Sequence, residues 1–229
     1  MKQTAFKYRW LLLLLMSFNF FQMSAQWKIG AMAGYTRNEL STSSGYFYDR
    51  NYKSYGGFTV GVPVRYEFKD WFALQADLSY MQKNYHITRS DMYSEIYSKT
   101  FNGFVELPVY AKFSFGGRKL RGFLNLGAYS GVWVSRREKG GNYSVSEKKV
   151  IEYDESVPFD SRRDNRFDGG LLIGIGLQYG ITDRIEVFAE GRYYYGLTDL
   201  QRNYMDGQMP QYNNTLVFQV GCMFKIGNK

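Results

Sequence analysis

The chain has 229 residues, enough for one domain of ordinary size, and carries a formal charge of +8. Its basic residues are interleaved with acids, as in Arg136-Arg137-Glu138-Lys139 and Arg162-Arg163-Asp164, which argues against a nucleic-acid partner. A lone Cys222 and a lone His86 exclude an internal disulfide and leave no cluster of soft ligands for a metal.

Residues 1–25 read as a secretion signal. Lys2, Lys7 and Arg9 form a positive start, Trp10 to Phe21 is an apolar stretch too short to span a bilayer, and Met23-Ser24-Ala25 precedes the expected cut. Met23 departs from the small residue usual at that position. Cleavage would leave residues 26–229 as the mature domain and lower the charge by three, from +8 to +5. No cysteine lies near the cut, so no lipid-anchored N-terminus is expected.

Beyond the signal, eight segments alternate apolar and polar residues, the period-two pattern of strands with one greasy face. They are Trp27–Thr36, Tyr55–Phe68, Trp71–Tyr85, Thr100–Phe115, Leu120–Ser135, Asp168–Ile181, Arg184–Leu197 and Asn214–Ile226. In the third, Phe72, Leu74, Ala76, Leu78 and Tyr80 alternate with Ala73, Gln75, Asp77 and Ser79. The mean hydropathy of −0.41 does not contradict a membrane protein, because only every second residue of a barrel strand meets lipid.

The connections alternate in length. Lys69-Asp70, Gly116-Gly117-Arg118-Lys119 and the stretch around Thr182-Asp183 are short turns, whereas Arg37–Ser54, Gln82–Lys99, Arg136–Phe167 and Thr198–Asn213 are long and polar. This is the asymmetry of an outer-membrane barrel, with short periplasmic turns and long extracellular loops. The expected fold is therefore all-β: an eight-stranded antiparallel up-and-down transmembrane β-barrel. Trp27, Phe68, Trp71, Tyr85, Phe115, Trp133, Tyr195 and Phe224 lie near strand ends, where interfacial girdles form.

Alternation alone does not say which face looks outward, and a soluble lipocalin-like barrel would reverse the arrangement. Lipid outside is favoured because the apolar face recurs on all eight strands, while the opposite face mixes Gly with charges of both signs. The lumen then receives Arg65, Glu67, Asp77, Glu106, Lys112, Arg121, Glu186, Glu190 and Arg192. Charges removed from water must be paired, so an interior ion-pair network of structural role is expected, with Tyr110, Tyr194 and Gln178 as hydrogen-bond partners. Eight strands enclose little more than their own side chains, so the lumen is expected to be obstructed.

His86 lies near Ser90 and Asp91, a combination used in hydrolases, but proximity in a polar loop is not catalytic geometry. Glu152, Asp154 and Glu155 could hold calcium only weakly. Gly174-Ile175-Gly176 sits inside a strand, where glycines make room for bulky neighbours rather than cradle phosphate. No catalytic residue, cofactor, metal ligand or small-molecule substrate is identified. The expected partners are outer-membrane lipid and, at the Tyr-, Ser-, Asn- and Arg-rich extracellular loops, other proteins.

Three segments resemble the PorT-type outer-membrane β-barrel proteins of Bacteroidota. They are Phe104-Val105-Glu106-Leu107-Pro108-Val109-Tyr110-Ala111-Lys112-Phe113, the strand from Asp168 to Leu177, and the aromatic strand from Glu190 to Leu200. Their order along the chain is more specific than any one of them. The resemblance implies an outer-membrane barrel and a founding member associated with type IX secretion and gliding. The ending Lys225-Ile226-Gly227-Asn228-Lys229 departs from chains that close on an aromatic residue. The reading is a non-enzymatic, structural or interaction protein of the outer membrane, with a narrow porin-like channel or transporter as the alternative.

Overall fold

In a computed structural model the described residues are 26–42, 50–89, 96–144, 146–147, 149–202 and 209–227. They form ten antiparallel strands: β1 (Gln26–Thr42), β2 (Arg50–Lys69), β3 (Phe72–Gln82), β4 (Tyr85–Arg89), β5 (Tyr97–Gly116), β6 (Leu120–Ser144), β7 (Lys149–Ser156), β8 (Phe167–Gly180), β9 (Ile185–Gly196) and β10 (Gln211–Ile226). The alternation read from the sequence explains them, since each side chain set needs its own solvent.

Eight strand positions close into a ring. The first and last strands zip along their whole length, from Trp27 opposite Ile226 to Thr42 opposite Gln211. Closure leaves no unpaired backbone edge within the membrane, where an unsatisfied N–H or C=O would cost several kcal/mol. β4 continues β3 after a break at Lys83-Asn84 and pairs with the outer ends of β2 and β5. β7 lies outside the ring and pairs only with the outer end of β6. Residues 1–25, expected from the sequence to be a secretion signal, lie outside the described residues.

Two prolines interrupt the ladders. Pairing between β1 and β2 skips the level of Pro63, and pairing between β3 and β5 skips that of Pro108. Each lacks the N–H that would face the neighbour. Gly116, with φ of 118°, makes the tight turn from β5 to β6.

The outer surface is apolar. Val60 and Val62 on β2, Leu74 and Leu78 on β3, Leu107 and Val109 on β5, and Ile173 and Ile175 on β8 all face out. The inner residues of the same strands are polar and buried, among them Arg65, Asp77, Glu106 and Arg192. A soluble barrel would have the opposite distribution.

The strands run further out than alternation predicts. Residues 37–42, 50–54, 85–89, 97–99, 136–144 and 149–156 continue the sheet, although the sequence reads them as loop. Above the lipid neither face meets acyl chains, so both can be polar while backbone pairing persists. Tyr85 and Trp133 also differ from expectation: both point inward and are buried rather than joining a girdle. Trp27, Trp71, Phe115, Tyr195 and Phe224 do face outward. A bulge explains the change of parity on β6. Gly103 pairs Ser135 but Phe104 pairs Trp133, leaving Val134 unmatched, so inward positions switch from odd (Trp133) to even (Arg136).

Candidate functional site

The lumen is filled in layers. At the periplasmic end Lys28 stands 2.9 Å from Glu67 and 2.6 Å from Glu186. Arg65 pairs with the same Glu186 and donates from Nε to Gln75 Oε1 at 2.8 Å. Arg121 and Glu67 are only half-buried at this rim, and the Arg121 guanidinium donates to the Asp70 carbonyl in the first turn. Above them Met32, Phe123, Phe188 and Met223 form an apolar layer. Lys112 lies over the Phe123 ring, its ammonium 3.3 Å from the centroid.

Arg192 organises the middle. Its Nε and one terminal nitrogen donate to both oxygens of Glu190 at 2.9 Å each. The other terminal nitrogen donates to Asp77 at 2.9 Å and to the Tyr194 hydroxyl at 3.0 Å. Tyr110 accepts from Arg192 at 2.7 Å and donates to Asp77 at 2.9 Å. Gln75 donates to the other Asp77 oxygen, and Asn125 and Gln219 to Glu190. Such a charge is tolerable without bulk water because its donors and both carboxylates are nearly all used. Space for it is made by Gly174, where a Cβ would collide with the Glu190 carboxylate.

A second ionic knot lies above. Lys83 is 2.5 Å from Glu106 and donates to Asp168 at 2.8 Å, with its ammonium 4.5 Å from the Tyr129 ring centroid. All three charged groups are fully enclosed. An aromatic lid follows: Phe104 stacks on Trp133 at 5.8 Å, and Phe159 meets Trp133 edge-on at 5.1 Å, with Leu40, Tyr85 and Leu200 packed around them.

Two polar cavities open at the ends and share no lining residue. The periplasmic one, about 190 Å³, is lined by Lys28, Arg118, Lys119, Arg121, Arg184 and Glu186, among others. The extracellular one, about 160 Å³, lies between Tyr52, Tyr85, Trp133, Arg136 and Asp164. Burial works against ionisation of Asp164, but hydrogen bonds from Arg163 and the Asp160 amide outweigh it and hold the carboxyl below its ordinary range.

Of the nine residues that the sequence sends to the lumen, the structure buries Arg65, Asp77, Glu106, Lys112, Glu186, Glu190 and Arg192, and leaves Glu67 and Arg121 at the rim. Sequence reading missed Lys28, Lys83 and Asp168. The signal was present: each continues the inward parity of its strand, even on β1 and β8, odd on β3. His86 faces outward between Lys53 and Lys99, and Ser90 and Asp91 lie outside the described residues. Gln178 is buried without a partner for its carbonyl oxygen. Asp154 is engaged by Arg137 at 2.6 Å, and among the described residues no group of three His, Cys, Asp or Glu side chains is placed to hold a metal.

A closed ring with an oily exterior and an ion-paired interior defines an integral outer-membrane β-barrel. The chain belongs to the outer membrane protein beta-barrel domain family, whose model matches residues 18–202. Among solved structures it is similar to the outer membrane protein OprG from Pseudomonas aeruginosa, with 9% identity, a TM-score of 0.50, and 90% of this chain and 97% of that one covered. It also matches the Escherichia coli outer membrane protein W, with 11% identity, a TM-score of 0.49, and 90% and 100% covered. The Yersinia pestis attachment invasion protein Ail matches with 17% identity, a TM-score of 0.40, and 89% and 100% covered. Among curated proteins none matches the chain. The protein is thus an outer-membrane barrel in contact with lipid.

Proposed function

We propose that this barrel does no chemistry and has a closed lumen, with a structural or assembly role exercised through its extracellular face. The observation that carries the reading is the Arg192 layer. One guanidinium ties Glu190, Asp77, Tyr110 and Tyr194 across the barrel, with an ionic knot and an aromatic lid above it and an apolar layer below. On this reading Arg65, Asp77, Glu106, Lys112, Glu186, Glu190 and Arg192, with Glu67 and Arg121 at the rim, serve folding rather than turnover. The extracellular wall built by the outer ends of β5 and β6 with β7 supplies the contact surface. Recording from purified protein in planar bilayers tests the closed lumen: no stable conductance is expected, and discrete openings of wild-type protein would defeat it.

The second reading is a narrow channel or transporter of small solutes. It is favoured by Arg65 Nη2, Asn125 Oδ1 and Tyr129 OH, buried polar atoms without a protein partner that water in a passage would satisfy. Membership of the PorT-type branch, and through it a link to secretion machinery, is supported by the order of the three motifs. For the leader, N-terminal sequencing of the exported protein is expected to begin at Gln26; a start further upstream would contradict cleavage there.

A further inference from the structure

Four basic side chains stand directly opposite one another on four adjacent strands. Lys53 on β2 pairs His86 on β4, His86 pairs Lys99 on β5, and Lys99 pairs Lys139 on β6. Residues directly opposite in an antiparallel ladder share a face, about 5 Å apart, and like charges placed so repel. The shared face is the outer one: the neighbours Thr100 and Asn102 on β5 point inward and are buried, while Lys139 and Arg137 on β6 are exposed. Arg137 adds a fourth permanent cation to the three lysines one step below, opposite Phe101.

Among the described residues, internal compensation reaches only one end of the row. Asp154 on β7 takes Arg137 at 2.6 Å and Lys139 at 3.9 Å. Neither Lys53 nor Lys99 forms an ion pair with any described residue. His86 has a buried, unpartnered Nε2. Burial, Lys99 and Lys53 together push its pKa below the ordinary imidazole value. Aromatic rings frame the row: Tyr55 and Tyr97 each lie 6.3 Å from His86, and Lys99 sits 5.6 Å from the Tyr55 centroid.

Height identifies what meets the row at Lys99. A strand tilted by about 45° climbs about 2.3 Å per residue, so an apolar band about 25 Å tall takes about eleven residues. On β5 that band is Phe113, Ala111, Val109, Leu107 and Val105, ending at Gly103. Lys99, four residues on, stands about 9 Å above it, level with lipid headgroups rather than acyl chains or open water. Exposed Phe58, Val105, Val132 and Val134 continue the greasy surface just below the row.

We infer that this ladder binds the phosphorylated headgroup of an outer-leaflet lipid, whose anion neutralises the row while its chains lie on the apolar band beneath. A soluble polyanion would use the charges but not the adjoining greasy face. The inference goes beyond the closed-lumen reading and holds whether or not the barrel conducts.

The test uses the mature protein in phosphatidylcholine nanodiscs doped with diphosphoryl lipid A or with the same lipid stripped of phosphate, read by native mass spectrometry. The phosphorylated form is expected to be retained, and Lys53→Gln with Lys99→Gln to weaken it by about 30-fold, about fivefold per lysine. The double Lys→Arg variant should restore it, and unchanged heat-modifiable migration shows that each variant is folded. Carbon-13 resonances of His86 should titrate below the ordinary midpoint in phosphatidylcholine alone and move up with the phosphorylated lipid. Equal retention of both lipids, a Gln variant that binds like wild type, an unmoved His86 midpoint, or tighter binding of a soluble sulfated hexasaccharide than of the lipid would each overturn the proposal.

Discussion

Arg192 and Glu190 rise from the same face of β9, two residues apart, and meet through two parallel hydrogen bonds of 2.9 Å. The pair is local in sequence, but Asp77 and Tyr110 bind the same guanidinium from β3 and β5, across the lumen. One short-range contact thereby becomes a cross-brace.

Removing the brace on one side should cost more than removing it altogether. Arg192→Met leaves Glu190 and Asp77 buried and unpaired, and a loss of about 3–5 kcal/mol is expected. Adding Glu190→Gln and Asp77→Asn should return part of it. Urea titration of vesicle-reconstituted protein, followed by gel mobility, measures both; a triple variant weaker than the single would contradict the pairing argument.

The upper knot behaves by the same rule at a different level. Lys83 is the only cation among the described residues in ion-pair contact with Glu106 and Asp168. Lys83→Met should destabilise by about 3–5 kcal/mol, with partial recovery on Glu106→Gln and Asp168→Asn. Because Lys83 and Arg192 both approach Tyr194, the two losses should couple, and the Lys83→Met, Arg192→Met double variant should depart from the sum of the singles.

Gly174 tests lumen packing without touching a charge. A side chain there collides with Glu190, so Gly174→Val should displace the carboxylate from Arg192 and slow or prevent folding. Its neighbour Ile175 faces lipid, 66% exposed, and Ile175→Val should change stability by less than about 1 kcal/mol. Equal effects at the two positions would contradict the assigned faces.

Acid should act on the extracellular mouth through Asp164. Its folded pKa is depressed, so its contribution is fully present above the unfolded value of about 3.9 and is lost as pH falls through the lower folded value. Hydrogen exchange at the Asp160 amide, which donates to Asp164 at 2.9 Å, should stay protected at neutral pH and lose protection in Asp164→Asn. Protection unaffected by that change would remove Asp164 from the mouth's framework.

The barrel was legible in the sequence because lipid imposes a period of two: Leu74, Ala76 and Leu78 read as outward without any structure. The lumen was partly legible, since parity placed Arg65, Asp77 and Arg192; Lys83 lies within the predicted Trp71–Tyr85 strand on the same inward parity, but it also falls in the polar stretch read as loop from Gln82 and was not assigned to the lumen. Trp133 was misread because aromatic residues near strand ends suit a girdle and a lumen lid equally. The bulge at Val134, which resets parity just beyond it, leaves no trace in composition. The basic ladder was invisible for a different reason: Lys53, His86, Lys99 and Lys139 are far apart in the chain, and only the register brings them into one row.

The central claim is that acyl chains solvate the outer face while ionic groups are sealed within. Tryptophan quenching tests it directly in protein produced from residue 26 onward, which lacks Trp10, with Trp27, Trp71 and Trp133 replaced by Phe and a single reporter at Leu107, which is 47% exposed on β5, compared with a variant retaining only Trp133, which is 3% exposed. In vesicles of brominated-chain phospholipid the Leu107→Trp reporter should be strongly quenched and Trp133 spared, with iodide reaching neither. Quenching of Trp133 by the brominated chains, with the Leu107→Trp reporter open to iodide, would contradict the account.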